Sequence, residues 1–493
     1  MSSSRKILAF DLGAESGRGI LGLFNGTQLT LDIVHRFPNG AVRTLETLHW
    51  DVLRLYGELL NGLRLAVSKA GHLDSVGIDT WGVDFALLGR DGTLLGNPRH
   101  YRDPHTEGIM DLAFARVSRS EIFRQTGIQF MRFNSLFQLL ALQRDGSPLL
   151  DQARHLLMIP DLFHYWLTGL KVNELTDAST SQLLDPASCT WALSLAEAFG
   201  LPRGMLGSIV KPGTVLGPLR ASVATDTGIT PVPVIATATH DTASAVAAVP
   251  ARGEGWAYIS SGTWSLMGVE RASPLLGESA LEANFTNEIG YGGTVRLLKN
   301  VMGLWLVQEC RRTYERMGQN YTYEELMRLA SEAPPFGSIV DPDDNRFVLP
   351  TSMPQAIAEA CRQSGQPAPE GVGATVRCAL ESLALRYRWV LEKLESLTGQ
   401  TLRTIHVVGG GSQNELLCQL TADCCGREVL AGPVEATAIG NVLVQAIGLG
   451  LLADLHQVRE VVRRSFEVKH YEPHKPERWA EHYQRFTALL QSK

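Results

Sequence analysis

Three aspartates and one histidine are the residues of this sequence whose setting suits chemistry. His240-Asp241-Thr242 follows the β-branched run 232–239 and precedes an alanine-rich segment of good helix propensity. The pattern is a strand that delivers a carboxylate to the start of a helix. Two uses fit it: an N-cap that satisfies free backbone N–H groups, or a base held in place by the strand and helix on either side. Asp11 ends the apolar strand 7–10, where it can face a hydrated cation or bond its own turn. Asp79 lies in a second strand, within Gly77-Ile-Asp-Thr-Trp-Gly-Val-Asp-Phe85. In that stretch Trp81 offers an indole that can cover the apolar face of a sugar while its N–H reaches a hydroxyl; packed in a domain seam it would do neither.

Around these residues lie three stretches suited to an anion. Strands 7–11 and 19–24 are joined by Leu12-Gly-Ala-Glu-Ser-Gly-Arg18, whose small residues let backbone N–H groups approach a phosphate while Ser16 and Arg18 add side-chain donors. This is neither a Walker A loop, which ends Gly-Lys-Ser/Thr, nor a dinucleotide fingerprint, since a strand and not a helix follows. The same order, strand, turn of small hydroxyl residues, strand, returns in Ser260-Ser-Gly-Thr-Trp-Ser265 at the head of the second half. In the third stretch, Val408-Gly-Gly-Gly411 sits between a buried strand and a helix start, where a ligand can lie against bare backbone at the positive helix end.

The chain that must position these stretches has 493 residues, 44% hydrophobic and 19% charged, with 47 glycines. That is too long for one core and ordinary for a soluble, turn-rich protein. A net charge of −6, with basic residues only in short pairs such as Arg311-Arg312, argues against a nucleic-acid partner. The apolar run before Asp11 is only the four residues 7–10, too few for a signal segment, and no apolar run approaches bilayer length. A cytoplasmic protein with no membrane partner is expected, as a monomer or weak homo-oligomer. Seven scattered cysteines without a CxxC pair suit reduced thiols.

The periodicity predicts a helix over 51–70, then helices at 111–117, 136–143 and 161–167 in an inserted region of mixed structure. Residues 202–217 read as connector and 250–255 as the linker between halves. A loop carrying Lys299-Asn300 runs into a helix with Gln308. Residues 334–370 read as a surface excursion in which Asp343 and Asp344 serve turns. Helix 415–425, strand 428–431, a small-residue helix to about 450 and a terminal helix complete the pattern. The expected domains are 1–249, 250–455 and a helical tail 456–493.

Taken together, Asp11-Leu-Gly-Ala-Glu-Ser-Gly-Arg18, Gly77–Phe85, Thr239-His-Asp-Thr-Ala-Ser-Ala245, Ser260-Ser-Gly-Thr-Trp-Ser-Leu-Met-Gly268 and Val408–Gly411 resemble the FGGY carbohydrate kinases, in the family's order, over about residues 6–450. Residues 79–85 and 260–268 are most similar to members that phosphorylate L-rhamnulose at O1. The resemblance implies an α/β fold of two ribonuclease H-like domains, as in actin and hexokinase, with a cleft for ATP and a ketose. It implies Asp241 as catalytic base and His240, Gly82 and Trp81 at the sugar. Ala14, Glu15, Ser16, Gly17, Arg18 and Thr263 would hold phosphates, with Asn300, Gln308 and Gly410 on the nucleotide side and Asp11 at Mg²⁺ through water. Glu15 departs from the family, where a small residue is common; a carboxylate beside a triphosphate is unfavourable unless it points away. Three other readings remain: a kinase for another ketose or polyol such as xylulose or fuculose, an actin-like ATPase, and a nuclease using Asp11, Asp79 and Asp241 on two metals.

Overall fold

The computed structural model describes residues 4–491. The chain forms two compact units that do not follow chain order. The first takes the chain up to Pro250 together with Glu270–Leu297 and Glu435–Phe466; the second takes Ala251–Val269, Leu298–Val434 and the chain from Glu467. The divisions expected at 249/250 and 455/456 are contiguous, so they leave out these two returning segments.

The first unit is built on a six-stranded sheet ordered Thr214–Pro218, Pro233–Ala236, Ser75–Thr80, Arg5–Leu12, Ser16–Phe24, Leu29–Pro38. Strands Pro233–Ala236, Ser75–Thr80 and Arg5–Leu12 are parallel and almost wholly buried, as their continuous apolar runs require. Alternation along the strands divides the sheet into two faces. A Cβ on Gly19 or Gly62 would meet Phe10, so helix Val52–Ala70 lies on that face; a Cβ on Gly22 would meet Val442 and one on Gly77 would meet Gln445 and Asn441, so helix Ala436–Gly448 lies on the other. Helix Val52–Ala70 starts where Asp51 accepts from the Arg54 N–H and buries Val52, Leu55, Leu59, Leu63 and Ala66, the three-and-four spacing of one apolar face. Helix Ala436–Gly448 carries two buried amides: Gln445 donates to the Leu8 carbonyl and accepts from Ser75, and Asn441 donates to Asp79.

In the second unit the strands follow the order Val295–Met302 (from Leu298 onward), Trp264–Arg271 (up to Val269), Trp256–Ser261, Thr404–Val408, Glu428–Ala431, Lys469–Tyr471; the remaining residues of the first two strands, Arg296 among them, belong to the first unit. Its plan repeats the first: an antiparallel hairpin whose first strand also pairs in parallel with a later strand, Arg5–Leu12 with Ser75–Thr80 and Trp256–Ser261 with Thr404–Val408. The 28-residue helix Gly371–Thr398 buries one long face here.

Three expectations change. Residues 334–370 are not a surface excursion: Ile339, Val340, Phe347 and Met353 are buried, and Asp343 accepts from the Met302 N–H and from Arg386. Lys299 and Asn300 lie within strand Val295–Met302, not in a loop. The C-terminal tail is two helices, Leu455–Ser465 and Ala480–Gln491, with strand Lys469–Tyr471 added to the sheet edge between them.

Candidate active site

Register alone brings the chemical residues of the first unit together. Asp11 stands beside Asp79 on neighbouring parallel strands and opposite Arg18 on the hairpin. Beyond strand Pro233–Ala236 the chain stays extended, so that the Thr80 N–H donates to the Thr239 carbonyl and Thr80 bridges to His240. The C-terminal ends of three parallel strands therefore deliver Asp11, Asp79 and His240-Asp241 to one edge, the place where open α/β sheets bind ligands.

Asp241 is the first residue of helix Asp241–Ala247, and His240 is the residue at the cap position, without a side-chain cap bond. The N-cap reading of Asp241 is thereby replaced. Its Oδ1 accepts from the N–H and hydroxyl of Thr242, while 30% of its side chain reaches solvent. Burial against protein raises its pKa most; His240 opposes this, and the Asp11 charge adds to it. Asp79 is fully buried and held well above the carboxylate range, first by desolvation and then by Asp11, against the Asn441 bond; its Oδ1 is buried with no hydrogen-bond partner. Arg18 donates to Asp11 Oδ2 at 2.8 Å and to Glu435, and Asp11 is the main cause of its raised pKa. A crowd of carboxylates with one arginine is an electrostatic setting that favours a bound cation.

In the hairpin turn the carbonyls of Gly13, Glu15 and Ser16 accept, respectively, from Asn39 Nδ2, the Asn39 N–H and the Gly13 N–H. Ala14, Glu15 and Ser16 are half-buried there. Gly17 is explained by packing, since a Cβ would fall 2.2 Å from the Phe37 ring.

Behind Gly82 lies a polar floor that sequence reasoning missed. Buried Asp84 accepts from Trp50 Nε1 (2.6 Å), Trp81 Nε1 (3.0 Å) and the Tyr101 N–H (3.3 Å) on Oδ2, and from Gln138 Nε2 (2.8 Å) on Oδ1. Burial, outweighing these four bonds, pushes its pKa up to about 7. Trp81 is 6% exposed, packs on Trp50 with centroids 3.9 Å apart, and spends its N–H on Asp84. In this structure its N–H therefore serves Asp84, and Trp81 supports the floor. Val83 holds φ at +67°, a strained value for a β-branched residue. Thr180 accepts from its N–H, and Ser135 and Gln138 donate to its carbonyl. Thr180 also fills the space a Cβ on Gly82 would need, at 2.9 Å.

Asp84→Asn tests this floor. Gln138 Nε2 also donates to the Val83 and Phe133 carbonyls, so it cannot turn its oxygen toward a new amide. One N–H would then face another donor, a loss of about 1–3 kcal/mol. Chemical denaturation should show a lowered midpoint; an unchanged midpoint would contradict the hydrogen-bond assignment.

The second unit gathers the remaining residues. In the turn after Ser261, the Gly262 N–H donates to the Trp264 carbonyl, and the carbonyls of Gly262 and Thr263 accept from the Leu304 and Trp305 N–H groups. Thr263 is thus tied to the start of helix Trp305–Arg316, which carries Gln308; Asn300 sits near the end of the strand that feeds this helix. Beside them runs the glycine loop. Gly409 has φ +84°, and a Cβ on Gly411 would lie 2.0 Å from Ser261 Oγ, so packing accounts for these two. Gly410 is exposed with nothing near its Cβ direction, which makes it the position open to a ligand.

Among the described residues, the trio of metal-ligand type with atoms within 4.8 Å of one another is Glu428, His470 and Glu472, an ion-paired group on a partly exposed strand pair. Asp11, Asp79 and Asp241 are not gathered so tightly, among the described residues. No helix is long and apolar enough to cross a membrane, among the described residues.

Family models for carbohydrate kinases match nearly the whole chain: the N-terminal domain of the FGGY family over residues 6–248 and its C-terminal domain over 257–449. A protein of Bacteroides thetaiotaomicron named rhamnulokinase is 47% identical over 482 residues, covering 98% of this chain and 99% of its own. One of the same name from Pectobacterium carotovorum is 45% identical over 491 residues, covering 99% and 97%. Among solved structures, a gluconate kinase of Lactobacillus acidophilus superposes with TM-score 0.81 at 18% identity, covering 99% of this chain and 98% of its own, and a ligand-bound xylulose kinase from the same organism with TM-score 0.80 at 18% identity, covering 99% and 97%. At such identities the likeness is one of fold.

Proposed function

We propose, on the premise that the chain belongs to the FGGY family of carbohydrate kinases, that it transfers the terminal phosphoryl group of ATP to O1 of L-rhamnulose. The observation that carries the substrate is the full-length identity of 41–47% to relatives named rhamnulokinase. The site is compatible with it.

Phosphoryl transfer has a loose transition state with little covalent chemistry, so the protein's task is positioning and charge neutralisation. Asp241 would accept the O1 proton as the O–P bond forms. Its raised pKa makes it a better base than an ordinary carboxylate. Gly82 and His240 would contact the sugar, above the Trp81 and Asp84 floor. Thr263, Asn300, Gln308 and Gly410 would hold the nucleotide, with the turn from Ala14 to Arg18 at the phosphates. Mg²⁺ suits the acidic edge: the ion keeps several waters and takes one or two carboxylates, and the crowding of Asp11, Asp79 and Asp241 disfavours that edge without a cation. Asp11 would hold it through water, and the ion would neutralise charge on the transferring group. Arg18 is paired with Asp11 and Glu435, so reaching a phosphate would require it to leave a carboxylate. A cytoplasmic setting fits a kinase using ATP.

ADP release measured against a panel of ketoses and polyols tests the reading. L-Rhamnulose should give the highest kcat/KM, and turnover should fall on acidification through a pKa above the usual carboxylate range. Equal or better use of xylulose, fuculose or glycerol would overturn the substrate, and sugar-independent ATP hydrolysis would overturn the kinase.

A further inference from the structure

The ring of His240 is held by groups that lie far away in sequence. Arg296, fully buried on strand Val295–Met302, donates through Nε and Nη2 to the Ile289 carbonyl at 3.3 and 3.2 Å. These bonds fix its guanidinium, whose Nη2 also lies 3.1 Å from His240 Nδ1. Glu288 Oε2 stands 3.2 Å from that Nη2 and 3.3 Å from the same Nδ1. On the other side of the ring, His240 Nε2 is 3.5 Å from Asp241 Oδ1.

A guanidinium has donors only and stays charged. The bond between Nη2 and Nδ1 therefore runs in one sense, with Nδ1 accepting. We infer that Arg296, balanced by Glu288, is a positioning residue that fixes neutral His240 as the tautomer protonated on Nε2, the nitrogen turned toward Asp241. This deepens the kinase reading and rests on it for the role of the ring. The tautomer matters because an Nε2–H donates to a sugar oxygen or to the Asp241 carboxylate, whereas the reverse tautomer would present a lone pair to that carboxylate. Glu288 supplies the charge that a buried guanidinium needs.

The main chain of this segment is held separately. The His240 N–H donates to Thr176 Oγ1, which donates to Glu174 Oε2; the Thr239 N–H and hydroxyl donate to that same carboxylate oxygen. Arg296 thus governs the ring without governing the loop.

Full-length protein labelled with ¹⁵N in its imidazoles gives the test. Long-range ¹H–¹⁵N spectra, with His240 assigned by the signal missing in His240→Asn, should show neutral His240 protonated on Nε2. In Arg296→Met the Glu288 carboxylate, 3.3 Å from Nδ1, is left without the competing guanidinium, so the proton should move to Nδ1. The ketose KM should then rise about tenfold or more, with the KM for ATP unchanged. Arg296→Lys, which keeps a charged donor there, should retain the Nε2–H form. Wild-type His240 protonated on Nδ1 would overturn the inference, and this result needs no variant to fold. So would an Arg296→Met variant with an unmoved proton and an unchanged ketose KM. Failure of the wild type to phosphorylate any ketose would strike the kinase reading instead, and the tautomer read from the spectrum would stand.

Discussion

Asp241→Asn is expected to lower ketose phosphorylation by about 10²–10⁴-fold, the usual scale for removing a general base, while leaving the protein folded. The amide keeps an Oδ1 able to accept the Thr242 N–H and hydroxyl, so the start of helix Asp241–Ala247 retains its local bonds. Two electrostatic effects oppose each other. An acidic residue in the first turn favours the helix dipole by about 0.3–1 kcal/mol, whereas this carboxylate is penalised by burial and by Asp11. The melting temperature should therefore move little in either direction. Comparing kcat with thermal unfolding of the same preparation separates the two roles. A variant that keeps most of its turnover but loses stability would show that Asp241 serves the helix alone.

The second large effect comes from a residue with no side chain. At Gly440 the helix Ala436–Gly448 meets the backbone of helix Asp241–Ala247, and a Cβ there would fall 1.8 Å from the Ser244 carbonyl oxygen. No rotamer change relieves a clash with main chain. The contact has to open to about 3 Å, so the helices must separate. Overpacking of this kind typically costs about 1–3 kcal/mol, and more where backbone must move. Gly440→Ala should thus lower the denaturation midpoint. It should also cut kcat about 100-fold in whatever fraction folds, because a shift near 1 Å at a catalytic group has consequences of that size. The same shift reaches Asp79 through the neighbouring Asn441. Unfolding and turnover like those of the unaltered protein would contradict the close helix contact.

What the sequence made legible was local. The two hairpins, the strand Thr404–Val408 and the glycine loop after it are written in short runs of apolar, small and helix-starting residues, and the structure places them close to where those runs begin and end. His240-Asp241 could be found for the same reason. The features that were not legible depend on distant partners. Arg18 suggests a free phosphate ligand until Glu435, 417 residues away, is seen to share it. Trp81 suggests a sugar platform until Trp50 and Asp84 take its face and its N–H. Residues 334–370 carry Pro and Asp signals of a surface loop, yet Asp343 is the partner of Arg386 in the long helix. Arg296 and Glu288 gave no signal at all, because nothing in their neighbourhood marks them as facing His240. The division into units was hidden likewise: helix Ala436–Gly448 reads as a small-residue helix in the second half, and only Gln445 and Asn441, bonded to the first sheet, show where it belongs.

Central to the proposed mechanism is that Asp241 receives the proton of the ketose hydroxyl that is phosphorylated. A crystal structure of the protein with L-rhamnulose and ADP–Mg²⁺ is the decisive test. The sugar O1 should lie within about 2.6–3.2 Å of an Asp241 carboxylate oxygen, with the His240 Nε2–H at the same end of the sugar. A ketose whose O1 lies against another group, with Asp241 bonded only to Thr242, would contradict the mechanism.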